Sequence, residues 1–305
     1  MQRRFGERFF GNLFLIATIL PPVLIVALVA ALYLRTHPIF ELASLWDLLT
    51  SQVWRPQQKE FGFFPFIAGT IWVTAVAMIL AVPICLLSAI YLSEYAHSAT
   101  RAFMKPLLDL LAAIPSVVYG VWGVILIVPW VHNSLAPLFG KWLGFIPIFT
   151  STNPTGFSIL AGGIVLAVMV APFIIAITYE VLQAVPRGLR EASLALGSTN
   201  WETIKFTVLP QTRSGVLAGI VLGSSRALGE TMAVLMVVGN VARVPGSIFD
   251  PAYPLTALIA NNYGEMLSIP LYDAALMGAS LILLAVVLVF NILATLVLHR
   301  IIAHR

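Results

Sequence analysis

The stretch "SSRALGETMAV", residues 224–234, sets an arginine and a glutamate inside an otherwise apolar run from Gly215 to Val238. On one continuous helix, Arg226 and Glu230 would share a face, because residues four apart are neighbours on the helix surface. Arg226 lies thirteen residues beyond Arg213, about 20 Å of helix. That depth is near the middle of a hydrocarbon layer about 30 Å thick. An arginine there costs at least about 2.5–3.5 kcal/mol. A glutamate partner offsets only part of this, and apolar residues of equal volume are usually at least as stabilising. Stability alone is therefore a poor reason for the pair. Two readings stand. In one, Arg226 and Glu230 form a structural salt bridge that fixes helix register. In the other, Arg226 lines an aqueous path for an anion, and Glu230 satisfies it when no anion is present. A guanidinium suits an oxyanion such as phosphate, since it stays charged and donates two parallel hydrogen bonds. Gly215, Gly219 and Gly223 recur every four residues beside the pair, and Ala227 continues the row. Such a stripe lets another helix approach closely.

The elements that hold these residues must lie in a membrane. Of 305 residues, 60% are hydrophobic and only 10% charged, where a soluble domain carries about 25% charged residues. Mean hydropathy is +0.96. The run from Leu13 to Leu34 is too long for the apolar core of a cleaved signal, roughly 7–15 residues. It is long enough to span a bilayer and reads as a retained helix kinked at Pro21 and Pro22. Six spans are expected, near 13–34, 66–92, 107–131, 158–182, 214–239 and 272–298. With the N-terminus inside, eleven of the 17 Lys and Arg residues fall in inner segments and five in outer ones, leaving Arg226 in the membrane. The inner group includes Arg187, Arg190, Lys205, Arg213 and Arg305. By the positive-inside rule both termini are then cytoplasmic. The net charge of +4 reads as topology rather than nucleic-acid binding. Residues 1–65 form a first helix and an outer segment; residues 66–305 form one membrane domain.

Two outer segments stand out. Residues 35–65 hold Trp46, Trp54, Phe61, Phe63 and Phe64, read either as an interfacial aromatic belt or as a docking surface. "YPLTALIANNYGEM", within 240–271, is too short and polar to span and suits a short helix near the outer mouth.

The inner segment 185–212 is longer than a plain connector needs to be. Leu189, Ala192, Leu194, Ala195 and Leu196 suit a short helix that Gly197 can end. Thr199 and Glu202 have capping-box spacing for a second helix, and Pro210 closes the segment. Periodicity alone leaves two possibilities, an amphipathic loop on lipid headgroups or a knob that inserts into a partner protein.

"EASLALGSTNWETIKFTVLP", residues 191–210, resembles the EAA loop of ABC importer permeases. That pattern is Glu-Ala-Ala, three residues, Gly, nine residues, then Ile-x-Leu-Pro. Glu191, Ala192, Gly197, Leu209 and Pro210 match, while Ser193 and Thr207 depart mildly. The resemblance implies that these residues couple the chain to a cytoplasmic ATPase. "RALGETMAV", "IPSVVYGVWG" (114–123) and "AIYLSEYA" (89–96) are similar to the PstC-type permeases of phosphate-specific ABC importers. The likeness runs from about residue 66 onward, and "GETMAV" with the long first outer segment fits PstC better than the sister PstA type.

This resemblance implies an all-α, six-helix type I importer permease of the MetI-like fold in a prokaryotic inner membrane. It implies a PstA-type second permease, two PstB-type ATPases that bind ATP and Mg, and an extracytoplasmic PstS-type phosphate-binding protein. Arg226 and Glu230 carry over as residues of the phosphate path. A sulfate or molybdate importer keeps the same architecture; an ATP-independent anion transporter has no need of residues 191–210. The sequence has no GxxxxGK[ST] segment for ATP, no metal-ligand spacing among its five histidines, and a single cysteine, Cys85, in an apolar run. No cofactor, metal site or catalytic group is expected in the chain itself.

Overall fold

The computed structural model describes residues 2–150, 153–266 and 269–303. His304 and Arg305 lie outside the described residues. The chain is helical almost throughout. Helix α1 (Gln2–Phe40) runs through Pro21 and Pro22, and α2 (Phe64–Ile90) is followed by a wider turn, Tyr91–Tyr95. Then come α3 (Ser98–Ala113) and α4 (Ser116–Trp122), the latter prolonged by wider helical turns to Leu143. Helix α5 (Ile159–Gln183) precedes the inner segment, which begins with α6 (Arg187–Ala195). The chain continues with α7 (Leu209–Leu228), α8 (Met232–Val237), α9 (Leu255–Asn262) and α10 (Tyr272–Ala303).

Among the described residues, five helical stretches are long and apolar enough to cross a membrane: Phe10–Phe40, Phe64–Tyr95, Ser116–Leu143, Ile159–Gln183 and Tyr272–Leu298. Two of the expected spans need correction. The third starts at Ser116, not near 107, because Ile114 and Pro115 are extended (ψ 129° and 138°) and separate α3 from α4. A residue before proline is disfavoured in the α region, and proline has no N–H to continue the ladder. Pro115 thus marks the boundary between α3 and α4. The expected span over 214–239 is broken into α7 and α8 at Gly229–Thr231.

Helices α2 and α5 form the centre. Gly163 allows their close approach, since a Cβ there would fall 2.5 Å from the Val76 side chain. A second core lies beside the first outer segment. There Trp54 and Phe61 sit on a two-residue-strand hairpin, with Trp54 paired to Phe61 and Arg55 to Glu60 of the partner strand across it. Trp54 packs 4.9 Å from Phe66 and 6.0 Å from Tyr272, centroid to centroid. Phe61 and Phe63 are buried. Trp54, Phe61 and Phe63 are therefore packed in the core, whereas Trp46, 72% exposed, and Phe64, 36% exposed, are not. Helix α9 is also internal, with Leu255, Thr256, Ala257 and Leu258 all buried. Phe66 is 0% exposed and touches both Trp54 and Tyr253. Phe66→Ala should cost about 3–5 kcal/mol, read as a lower thermal-unfolding midpoint in detergent; an unchanged midpoint would mean this aromatic core is not structural.

Candidate functional site

Arg226 stands in the last turn of α7, and Glu230 lies just past the helix end. The turn closes through i→i+3 bonds, Gly229 N–H to the Arg226 carbonyl (3.2 Å) and Glu230 N–H to the Ala227 carbonyl (3.3 Å). Beyond it, the Glu230 carboxylate accepts from the Ala233 N–H at 3.3 Å, at the start of α8. The Glu230 carbonyl accepts from the Thr256 hydroxyl at 2.9 Å. No ion pair joins Arg226 to Glu230, in contrast to Lys105–Glu180 and Arg190–Glu94, which do pair. The expectation of one shared helical face is therefore corrected. Each charge is stabilised by a helix end instead, the cation at a C-terminus and the anion at an N-terminus.

Arg226 is exposed on the chain's surface, and Glu230 is half-buried. The guanidinium lies 5.3 Å from the centre of the Phe173 ring on α5, close enough for cation–π attraction. Ser225, next to it, donates to Asn291 of α10 at 2.8 Å, which ties α7 to the last span. The glycine row lies against α5. A Cβ on Gly215, Gly219 or Gly223 would fall 2.6, 2.9 or 2.5 Å from Val181, Ile177 or Ile174. The same helix thus receives the glycine row and carries the ring beneath Arg226.

On the inner segment, α6 is followed by Gly197 at φ +87°, with nothing within 4 Å of where a Cβ would be. Thr199 caps the turn Asn200–Thr203 with a full capping box: its hydroxyl accepts from Glu202 N–H, and its own N–H donates to the Glu202 carboxylate at 2.8 Å. Those donors, the Thr199 N–H first, hold the Glu202 carboxyl below its ordinary value. Glu191, Ala192 and Gly197 are exposed, while Leu209 and Pro210 are half-buried where α7 begins. Leu196 (88% exposed), Trp201 and Phe206 present apolar surface around them.

Two contacts between residues far apart in the sequence carry no local signal. Lys105 pairs with Glu180 at 2.9 Å. The Glu180 carboxylate raises the Lys105 ammonium above its ordinary value, but both side chains are largely exposed, so the pair adds little stability. Arg190, just before Glu191, makes a two-pronged bond to Glu94 at 3.1 and 2.9 Å. A charge of each sign near the inner ends of two spans was the only available hint.

Residues 81–303 match the family described as "Binding-protein-dependent transport system inner membrane component". The chain belongs to this family. The permease is 40% identical over 251 residues to the phosphate transport system permease protein PstC of Pasteurella multocida, covering 81% of this chain and 78% of the relative. It is 32% identical over 310 residues to the protein of the same name from Haemophilus influenzae, covering 98% and 96%. In fold it is similar to a chain of a bacterial ABC transporter involved in the import of the acidic polysaccharide alginate, at TM-score 0.60 and 16% identity over 97% of this chain and 99% of that one. It is also similar to a chain of the MetNI methionine ABC transporter in an inward-facing conformation, at TM-score 0.55 and 18% identity over 76% and 93%. The permease thus has the all-α, MetI-type importer fold.

The capping box makes a pH-dependent element. The Glu202 pKa is lowered on folding, so its contribution is present above the ordinary carboxylate range and is lost as pH falls through the lowered value. Amide-exchange protection at Thr199 should therefore drop below the carboxylate range, and Glu202→Gln should make it independent of pH there. Protection that falls identically in both proteins would show that Glu202 does not hold the turn.

Proposed function

We propose that this permease is the transmembrane subunit of an ATP-driven phosphate importer. It forms the translocation path with a second, PstA-type permease. Two PstB-type ATPases bind ATP and Mg on the cytoplasmic side, and a PstS-type protein delivers phosphate to the outer mouth. The observation that carries this reading is Arg226, an arginine exposed beside a helix break inside an apolar bundle. A cation on the flank of a single chain within the membrane needs an aqueous path or a partner chain, because lipid offers it nothing. Non-helical backbone at membrane depth is tolerated where it lines such a cavity. Discontinuous helices with charged ends are a recurrent way to build a substrate passage in transporters.

Both termini lie inside, with Arg187, Arg190, Lys205 and Arg213 on the cytoplasmic face. Residues 185–212 dock into the ATPases, with Glu191, Ala192 and Gly197 at the contact and Leu209–Pro210 leading the movement into α7. ATP binding draws the ATPases together and tilts the helices so that the path opens outward past Arg226; hydrolysis resets it. Glu230 guards the path against stray anions when it is closed.

The test is uptake into proteoliposomes holding the whole complex, with ATP inside, binding protein outside and sulfate in excess. Phosphate uptake that needs ATP and ignores sulfate is the expected outcome; ATP-driven sulfate uptake would overturn the substrate. Arg226→Gln should cut phosphate flux by about 100-fold or more, about 3 kcal/mol on the barrier, while the ATPases stay bound; unchanged flux removes Arg226 from the path. Gly197→Val places a β-branched residue at positive φ and should abolish transport while ATP hydrolysis continues. Normal transport by that variant would refute the coupling assignment.

A further inference from the structure

We propose that the Arg190–Glu94 bridge is the strut that passes movement of α6 to the inner ends of α2 and α5. The inference rests on the reading of residues 185–212 as the ATPase-coupling segment. No residue of α6 is buried. Leu189 and Leu194 are 41% and 43% exposed, so apolar packing does not hold this helix against the bundle. Arg190 does. Its Nε and one terminal nitrogen donate to both oxygens of Glu94, which lies in the turn Tyr91–Tyr95 after α2. The same guanidinium donates to the carbonyls of Leu182, at 2.8 Å, and Val185, at the end of α5. Ser93 Oγ donates to Glu94 at 2.8 Å. Gln183 donates to both the carbonyl and the hydroxyl of Ser93, each at 3.1 Å. One network therefore joins α6, the end of α2 and the end of α5.

Its geometry suits the transmission of force. A two-pronged arginine–carboxylate bond fixes orientation as well as distance. The side chains of Arg190 and Glu94 are only 18% and 10% exposed, so water does not readily replace either partner. The exposed Lys105–Glu180 pair, at 52% and 66%, has no such protection. Arg190 is thus a positioning residue, one step removed from the ATPase contact.

The experiment uses the complete complex in proteoliposomes and measures phosphate imported per ATP hydrolysed. Glu94→Gln and Arg190→Lys should each lower that ratio about tenfold, within the roughly 5–150-fold range of site-to-site coupling, with hydrolysis continuing. Arg190→Lys keeps the charge and loses the fork, so it separates geometry from charge. Glu94→Asp, which keeps a carboxylate within reach, should retain most of the ratio. An unchanged ratio in Glu94→Gln or Arg190→Lys overturns the strut. Loss of the ATPases from both variants also overturns it, since the bridge would then serve assembly only. A photo-crosslinker in place of the exposed Leu196 tests the underlying reading separately. Crosslinking to an ATPase is expected; its absence in an otherwise unaltered chain would sink the coupling assignment and the strut with it.

Discussion

Backbone that leaves the helical path inside an apolar layer must still satisfy every N–H and C=O, and this requirement at Gly229–Thr231 organises the packing of α8, α9 and the start of α2. The Thr256 hydroxyl serves the Glu230 carbonyl. Thr256 is held there by α9, whose first N–H, on Leu255, donates to Thr70 of α2 at 2.9 Å. Thr70 in turn donates to the Phe66 carbonyl one turn back. The short internal helix α9 therefore has a physical purpose: it carries a hydrogen-bond donor to the break. Glu230 serves a second amide with its own side chain and opens α8. With both groups satisfied, the chain can hold an arginine at the end of α7 without pairing it to the neighbouring glutamate.

Helix α5 links this break to the segment 185–212. Phe173 lies under Arg226, Ile174, Ile177 and Val181 receive the glycine row, and Leu182 and Gln183 belong to the Arg190 network. From Phe173 to Gln183 is about 15 Å along one helix. Close packing along the glycine row leaves α7 little freedom to slide on α5.

Features set by local chemistry were legible in the sequence. Gly197 ends α6 and Thr199–Glu202 caps the next turn, because those residues act on backbone within a few positions. The glycine row announces a close helix contact by spacing alone. The break was not legible, because i,i+4 spacing of opposite charges suits an intact helix and the donor that compensates the break, Thr256, lies 26 residues on. Arg190 and Glu94 are 96 residues apart, beyond any spacing rule. The boundary at Pro115 was available from the rule for residues before proline, but the surrounding apolar run outweighed it. The aromatics of residues 35–65 read as an interfacial belt or a docking surface because composition does not distinguish a ring against lipid or a partner from a ring against Phe66.

The central claim is that water reaches the break between α7 and α8. Single cysteines placed along residues 219–232, in a Cys85→Ser background, can be reacted in the assembled complex with a membrane-impermeant thiol reagent. The account predicts modification at positions 226, 229 and 230 and protection at 224 and 227, where the native side chains are buried. Uniform protection across the stretch would leave Arg226 in a dry contact and contradict the account.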